Sequence, residues 1–309
     1  MYDVIGDLHG HARELIALLE HLGYRLRDGV FRHPKRQVIF LGDFIDRGPD
    51  ILSTVAIVRS MVESGVALAV LGNHEINALA YHTPDPDHHG HHLRRHTTKN
   101  QRQHQATIDQ LGPRELHSAL DWFRTLPLWL DLDGVRAVHA CWDESAQATL
   151  RQGLLDHDGL SAEFLQRAFK SSDPLHRAIE VTLKGKELRL PAGMVVLDKD
   201  GHPRDAIRTR WYLSPVGRTY AEYALQSHPI DLDHPLQGEI FNVAAPYPPE
   251  AKPVFVGHYW MMASRPSRLA PNVACLDYSV AKDGFLCSYR WDGEAVLEDD
   301  HFVWLPRSA

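Results

Sequence analysis

The sequence predicts an α/β protein with a mostly β-α-β order of elements. Short apolar runs that end in glycine turns alternate with stretches of helical period over the first part of the chain. Hydrophobic residues make up 44% and charged residues 24% of the 309 residues. These fractions match globular domains and exclude collagen-like, disordered and disulfide-scaffold proteins. By length alone, two domains or one large domain are allowed.

The first strands and helices follow from local pattern. Apolar runs at Tyr2–Ile5, Val38–Leu41 and Val66–Leu71 predict buried strands, each followed by a glycine and a polar residue. Between these strands, apolar residues at helical spacing predict helices over Ala12–Leu22 and Ile51–Val62.

The later elements are less regular. Seven histidines between residues 81 and 104 accompany little apolar content, which predicts a solvated loop or short helical excursion beside the site. Helices are predicted over 106–120, 161–169 and 174–183, a hairpin over 128–140, a turn at 198–202 and a strand at 254–256. The C-terminal stretch predicts a β-meander with strands at 273–276, 286–291 and 295–297.

Charge and composition limit the partners. Acidic residues outnumber basic ones 40 to 33, so no global basic surface for nucleic acid is expected. The sequence shows no signal peptide and no membrane-length apolar run, and its three cysteines fit a reducing compartment; a cytoplasmic protein is expected. The 21 histidines direct attention to metals. The oligomeric state is left open.

Metal-binding residue types follow five predicted strands, where open α/β sheets bind their ligands. The motifs are Asp7-x-His9, Asp43-x-x-Asp46-Arg47-Gly48, Asn73-His74-Glu75, His139 and His258. Two ions roughly 3.5–4 Å apart need a shared ligand, and a carboxylate can bridge whereas an imidazole usually cannot. One ion would take Asp7, His9 and Asp43. The other would take Asp43, Asn73, His139 and His258. This mixture of oxygen and nitrogen ligands favours Mn²⁺, with Fe, Zn²⁺ or Ni²⁺ as alternatives.

The motifs GDLHG, GDFIDRG and GNHE, in this order, resemble the PPP-type branch of the calcineurin-like metallophosphoesterases. That branch includes protein serine/threonine phosphatases and bacterial symmetrical diadenosine tetraphosphatases. The resemblance implies a four-layer sandwich of two mixed β-sheets flanked by helices. It also implies a single domain over 1–309, with insertions at about 81–120 and 145–253 as cap elements.

The resemblance implies the same metal ligands and adds catalytic roles. His74 would be the general acid that protonates the leaving oxygen, Asp46 would orient it, and Arg47 would hold phosphate oxygens. A metal-bridging hydroxide would attack phosphorus in line. A non-catalytic metal-binding module is disfavoured because His74 and Asp46 are both present.

The substrate is expected to be a phosphorylated molecule, either a phosphoprotein or a nucleotide. Phosphomonoesters, as in a serine/threonine protein phosphatase, are the first expectation. The alternative is a phosphoanhydride in a dinucleoside polyphosphate, as in a bis(5'-nucleosyl)-tetraphosphatase. Arg94, Arg95 and Arg210 are candidate phosphate-binding residues. Tryptophans near the motifs could stack a base, although each singly is expected to be core: Trp142, Trp211 and Trp260.

Overall fold

The computed structural model describes residues 1–197, 202–225, 232–236 and 245–306. Nearly all of the turn expected at 198–202 lies outside these ranges. None of the helices in the described ranges is at once long enough and apolar enough to cross a bilayer.

The strands of the described ranges pair into two larger sheets and three two-stranded sheets. In chain order they are β1 (Tyr2–Ile5), β2 (Arg25–Arg27), β3 (Val30–Arg32), β4 (Gln37–Phe40), β5 (Ala67–Ala69), β6 (Trp129–Asp131), β7 (Arg136–Val138), β8 (Glu187–Arg189), β9 (Val196–Leu197), β10 (Pro203–Arg204), β11 (Ala206–Arg208), β12 (Val254–Val256), β13 (Val273–Cys275), β14 (Asp277–Tyr278), β15 (Phe285–Trp291) and β16 (Phe302–Pro306).

The helices of the described ranges include the two predicted first. In chain order they are α1 (Ala12–His21), α2 (Ile51–Glu63), α3 (Asn73–His82), α4 (Thr98–Gln110), α5 (Pro113–Phe123), α6 (Glu144–Asp156), α7 (Ala162–Ala168), α8 (Pro174–Lys184) and α9 (Tyr220–Tyr223), with 3₁₀ turns at Val280–Lys282 and Asp299–His301.

Both larger sheets are mixed. The first has six strands in the order β14-β15-β1-β4-β5, and β16 also pairs with β15. Strands β1, β4 and β5 run parallel, while β15 is antiparallel to β1. The second sheet has the order β13-β12-β7-β6; β7, β12 and β13 are parallel, and β6 and β7 form the predicted hairpin. Two mixed sheets combined with helices confirm the predicted fold class.

Alternating side chains of the first sheet face two different layers, as the two-residue period of a strand requires. Ile5, Val38 and Phe40 pack with the apolar faces of the helices. Val4 and Ile39 point the other way and pack against the second sheet. Aromatic side chains cover the outer face of the second sheet: Trp142, Trp211, Tyr212, Tyr247 and Tyr259.

Three expectations about secondary structure were wrong. The strand expected at 273–276 does not belong to the C-terminal meander, because β13 pairs with β12 in the second sheet; the meander is formed by β14, β15 and β16 in the first. Residues 295–297 are not a strand; β16 follows instead. The helix expected over 106–120 is two helices, since Gly112-Pro113 ends α4 and begins α5. Helix α6 was not predicted.

A buried ion network fastens the amino-terminal end of the first sheet. Asp3 is fully buried and accepts hydrogen bonds from Arg36 Nε at 3.0 Å and Arg290 Nε at 3.1 Å. Its second oxygen accepts from the Tyr24 hydroxyl at 2.9 Å. The carboxylate therefore connects β1 to β15 and to the segments that precede β2 and β4.

Removing this carboxylate leaves three donors without their acceptor. We expect Asp3→Ala to lower the free energy of unfolding by about 3–5 kcal/mol, measured by urea denaturation. As a control, Glu63→Ala removes the exposed 2.6 Å ion pair with Arg59. This change should cost less than about 1 kcal/mol. Equal losses in the two variants would contradict a stabilising role for the Asp3 network.

Candidate active site

The carboxyl ends of parallel strands from both sheets meet at one place. The predicted ligands follow these strand ends: Asp7 and His9 follow β1, Asp43 follows β4, Asn73 follows β5, His139 follows β7 and His258 follows β12. All six side chains are buried. The structure thus brings together every residue that the sequence predicts as a metal ligand.

Asp43 lies between two groups of ligand atoms. One group is His9, Asp43 and His74, and the other is Asp43, His139 and His258; within each group the ligand atoms lie within 4.8 Å of one another. Asp43 Oδ2 is 3.7 Å from His9 Nε2, whereas Oδ1 is 3.4 Å from His139 Nε2. A carboxylate with one oxygen toward each group has the geometry of a bridging ligand.

Backbone carbonyls fix which ring nitrogen faces the cluster. His9 Nδ1 donates to Ile45 O at 3.1 Å, and His139 Nδ1 donates to Leu41 O at 2.6 Å. Because a carbonyl only accepts, each Nε2 is turned toward Asp43. Imidazoles that bind metals are held in this way. The Nε2 atoms of His9 and His258 are buried and lack a hydrogen-bond partner among the described residues, which fits a site that a metal ion completes.

The electrostatics of the cluster also favour a cation. Burial, together with Asp277, raises the pKa of Asp7 well above its ordinary value. Burial opposes protonation of His139, yet Asp43 beside it raises the pKa to about 10. Bound positive charge would favour the ionised form of Asp7 and would replace the proton that Asp43 draws onto His139.

Asp7 and Asn73 lie beside these groups. The Asp7 carboxylate accepts the His258 N–H at 3.1 Å, and a methyl group at Gly257 would overlap Asp7 Oδ1. The glycine therefore permits this close approach. Asn73 Oδ1 lies 3.2 Å from His139 Nε2 and 2.6 Å from His258 Nδ1. The amide oxygen is thus within reach of both histidines of the second group.

Backbone strain is concentrated at the site. Ten non-glycine residues of the described ranges have a positive φ. Six of them are site residues or their neighbours: His9, Asp43, Asp46, Arg47, His258 and Trp260. Side chains in this conformation cost free energy that the surrounding structure must offset, and such residues concentrate at functional sites.

The proposed acid and its partner form a close pair. His74 Nδ1 donates to Asp46 Oδ2 at 2.5 Å, so Nε2 remains to face the cavity. Burial alone would raise the pKa of Asp46, but hydrogen bonds from His104 and His74 lower it well below its ordinary value. Arg47 Nη2 lies 3.3 Å from His74 Nε2, and its guanidinium stacks on the Trp260 ring at 4.2 Å.

An open cavity of about 740 Å³ lies over the cluster. Arg94 lines it, as predicted for a phosphate-binding residue, but Arg95 and Arg210 do not. Arg95 is exposed, and the Arg210 guanidinium donates to Ala224 O at 3.1 Å. Strand β11 ends at Arg208, which lines the cavity in place of Arg210.

The three tryptophans are all buried but differ in position. Trp260 lines the cavity, whereas Trp142 and Trp211 belong to the aromatic layer on the second sheet.

Several functional contacts come from residues without a predicted role. Glu75 accepts the backbone N–H groups of Asp43 at 2.9 Å and Phe44 at 2.8 Å, and so shapes the loop that carries Asp43. Its position three residues into α3, where acidic side chains accept from the helix start, was a usable sequence signal. His104 and Thr107, both buried, contact Asp46. The expected solvated loop is wrong for His104, and no sequence pattern indicated either contact.

Comparison with known proteins identifies relatives of this fold. The calcineurin-like phosphoesterase family model matches residues 2–199, more than half of the chain. A stretch of 73 residues is 42% identical to the bis(5'-nucleosyl)-tetraphosphatase PrpE [asymmetrical] of Oceanobacillus iheyensis, and it covers 23% of this chain and 29% of that protein. The chain thus aligns with less than a third of the length of the curated relatives it matches.

Two phosphatases are similar among solved structures. A cold-active protein-tyrosine phosphatase of a psychrophilic Shewanella has a TM-score of 0.49 and 17% identity over 94% of this chain and 75% of that one. A protein serine/threonine phosphatase from Saccharomyces cerevisiae has a TM-score of 0.48 and 13% identity over 100% of this chain and 79% of that one. The family match confirms at family level the expectation of a phosphoric ester hydrolase. The chain belongs to the calcineurin-like phosphoesterase family.

Proposed function

We propose that this chain hydrolyses a phosphoanhydride bond of a dinucleoside polyphosphate with two divalent metal ions. The number of cations around the cavity supports this substrate. Seven basic side chains line it: Arg47, Arg94, Lys99, Lys184, Arg204, Arg208 and Lys282. Beyond Asp43, the acidic side chains of the lining are Glu180, Glu187 and Asp205. The lining therefore carries a net positive charge before any metal is bound.

A polyphosphate chain explains this surplus better than a single phosphate does. One phosphomonoester is neutralised by the metal ions and one arginine, whereas each further phosphate brings another negative charge. The PrpE relatives, which are similar over 73 residues, are named bis(5'-nucleosyl)-tetraphosphatases, and this name is consistent with a polyphosphate substrate. The cavity thus favours the polyphosphate over the phosphoprotein that the sequence placed first.

The residues of the cluster fit two ions. Asp7, His9 and Asp43 would hold one, and the other would take Asp43 together with three more residues: Asn73, His139 and His258. Bound divalent ions polarise phosphate oxygens and lower the pKa of water. For this ligand set we propose Mn²⁺, with Fe, Zn²⁺ or Ni²⁺ as alternatives.

Protein side chains would supply the remaining steps. Arg47, held against the Trp260 ring, would bind phosphate oxygens at the cluster. His74 would give its Nε2 proton to the leaving phosphate oxygen, since its Nδ1 is hydrogen-bonded to Asp46. These roles make the Asp46–His74 pair the acid of the reaction.

The proposed cap elements support the same assignment. We propose a single domain in which the segments at about 81–120 and 145–253 cover the cluster. Both contribute to the lining of the cavity: Arg94 and Lys99 come from the first segment, and Lys184 and Arg208 from the second. A cap that places basic side chains beside the metals would hold a long anionic substrate.

A comparison of substrates tests the proposed function. With Mn²⁺ at neutral pH, we expect kcat/KM for diadenosine tetraphosphate to exceed that for a phosphothreonine peptide by roughly 100-fold or more. A preference for the peptide would contradict the proposal and favour the phosphoprotein alternative.

Arg208 provides a sharper test of the polyphosphate contacts. Arg208→Met should lower kcat/KM for diadenosine tetraphosphate by roughly 10-fold, because one charged hydrogen-bond donor is lost. Turnover of 4-nitrophenyl phosphate, which has a single phosphate, should stay within about twofold. Arg210→Met is the matched control, because Arg210 does not line the cavity. Equal losses on both substrates would argue against a polyphosphate subsite at Arg208.

A further inference from the structure

The Asp46 carboxylate is hydrogen-bonded on both of its oxygens. Oδ2 accepts from His74, as described above, and Oδ1 accepts from His104 Nδ1 at 2.7 Å and from the Thr107 hydroxyl at 2.5 Å. The Thr107 oxygen in turn accepts the Asp46 backbone N–H at 3.0 Å. Asp46, His104 and Thr107 are at most 5% exposed. The orientation of Asp46 is therefore fixed from the side opposite His74.

Both donors come from one face of α4, since residues three or four apart lie together on a helix. The same helix is fixed against the loop that carries Asp46. Gln110 Oε1 accepts the Ile51 N–H at 2.8 Å, and its Nε2 donates to Gly48 O at 2.8 Å. Gln103, the residue before His104, places its Nε2 3.4 Å from His74 Nε2. This helix therefore contacts the pair at several points.

A second histidine lies at the other ring nitrogen of His104. A carboxylate accepts but does not donate, so the proton of His104 is on Nδ1. His104 Nε2 then lies 3.1 Å from His82 Nε2, within hydrogen-bond distance. Burial, together with His104, lowers the pKa of His82 to about 4, which keeps that ring neutral. The hydrogen bonds thus run from His74 through Asp46 and His104 to His82.

We propose that His104 is a positioning residue for the Asp46–His74 pair and affects the reaction only through Asp46. The His104 Nδ1–H holds Asp46 Oδ1, and this orients Asp46 Oδ2 toward His74 Nδ1. Without it, the buried carboxylate could rotate toward Thr107 alone, and the His74 ring would lose its fixed direction. This inference rests on the proposed role of His74 as the acid.

A double-mutant cycle tests this dependence. In full-length protein with Mn²⁺ and diadenosine tetraphosphate, we expect His104→Leu to lower kcat by roughly 10-fold, with KM nearly unchanged. His104→Asn, which keeps an N–H donor, should recover most of the loss. In the Asp46→Asn background, His104→Leu should change kcat by less than about twofold. The Asp46 carboxylate, through which His104 acts on His74, is already absent from that variant. The same loss in both backgrounds would overturn the proposal.

His96→Leu is a control from the same segment. His96 Nε2 donates to Tyr81 O at 2.8 Å, and the ring stacks on Tyr81 at 3.9 Å, without touching Asp46. We expect kcat to change by less than about twofold. A loss equal to that of His104→Leu would mean that packing of the segment, not the contact to Asp46, sets the rate.

A measurement without substrate separates this inference from the proposed function. In protein loaded with Zn²⁺, which is diamagnetic, the short Nδ1–H bond of His74 should give a strongly downfield imidazole proton signal by NMR, identified by its disappearance in His74→Asn. In His104→Leu this signal should shift or broaden, and in His104→Asn it should return. An unchanged signal in His104→Leu would overturn the positioning role. Failure of the wild-type protein to cleave diadenosine tetraphosphate would instead count against the proposed function alone.

Discussion

Replacing His74 with asparagine is expected to lower kcat by roughly 10²–10⁴-fold while the metal ions stay bound. The variant loses the ring that is hydrogen-bonded to Asp46, so no group remains to protonate the leaving oxygen. The His74 backbone N–H, which donates to Asp43 Oδ1 at 2.9 Å, is retained. Turnover and metal content per chain, measured on the same preparation, check both parts of this expectation.

Metal content decides between two roles for this histidine. A ring nitrogen of His74 lies within 4.8 Å of the ligand atoms of His9 and Asp43, close enough for the three to share one metal ion. Loss of a metal equivalent in His74→Asn would identify His74 as a ligand, and unchanged turnover would exclude it as the acid. His176→Asn is a control, because His176 Nδ1 is also hydrogen-bonded, here to Ala168 O at 2.8 Å, but His176 lies outside the cavity lining. We expect its kcat to remain within about twofold.

Replacing Asp43 with asparagine is expected to empty at least one of two metal positions. Asp43 is the residue shared by both ligand groups, and each of its oxygens faces a different one. An amide is neutral and would leave the two ions without a bridging charge between them. Elemental analysis after dialysis against Mn²⁺-free buffer measures the loss, and hydrolysis should fall with it.

Asp205→Asn is the control for this loss. Asp205 also lines the cavity but belongs to neither ligand group. Its metal content should equal that of the wild type. Two equivalents of metal retained in Asp43→Asn would rule out the bridging role and would require another shared ligand.

The cluster of candidate metal ligands was predictable from the sequence because its causes are local. An apolar run buries a strand, a glycine turns the chain, and the polar residue after it lies at the carboxyl end of the sheet. Asp7, Asp43, Asn73 and His258 all follow this rule. The strands that precede the three motifs, β1, β4 and β5, are also neighbours in the first sheet, as strands close in sequence commonly are.

The helix break at Gly112-Pro113 was also readable from sequence, because proline cannot continue a helix and favours its first turn. The role of Glu75 could have been found from its position in the first turn of α3.

The C-terminal strands could not be assigned in this way. Val273–Cys275 and Asp277–Tyr278 are separated by one residue, yet they pair in different sheets. Local pattern predicts strands but does not specify the partner of each.

The sequence by itself determined the fold class, the metal-binding residue types and their place at the strand ends. Only the tertiary structure decided which arginines face the cavity and that His104 contacts Asp46. His104 is 58 residues from Asp46 in sequence. Arg208 and Arg210 are only two residues apart, but the strand ends between them. Strand and turn patterns depend on nearest neighbours, whereas these contacts depend on how α4 and β11 pack over the cluster, which no local periodicity encodes.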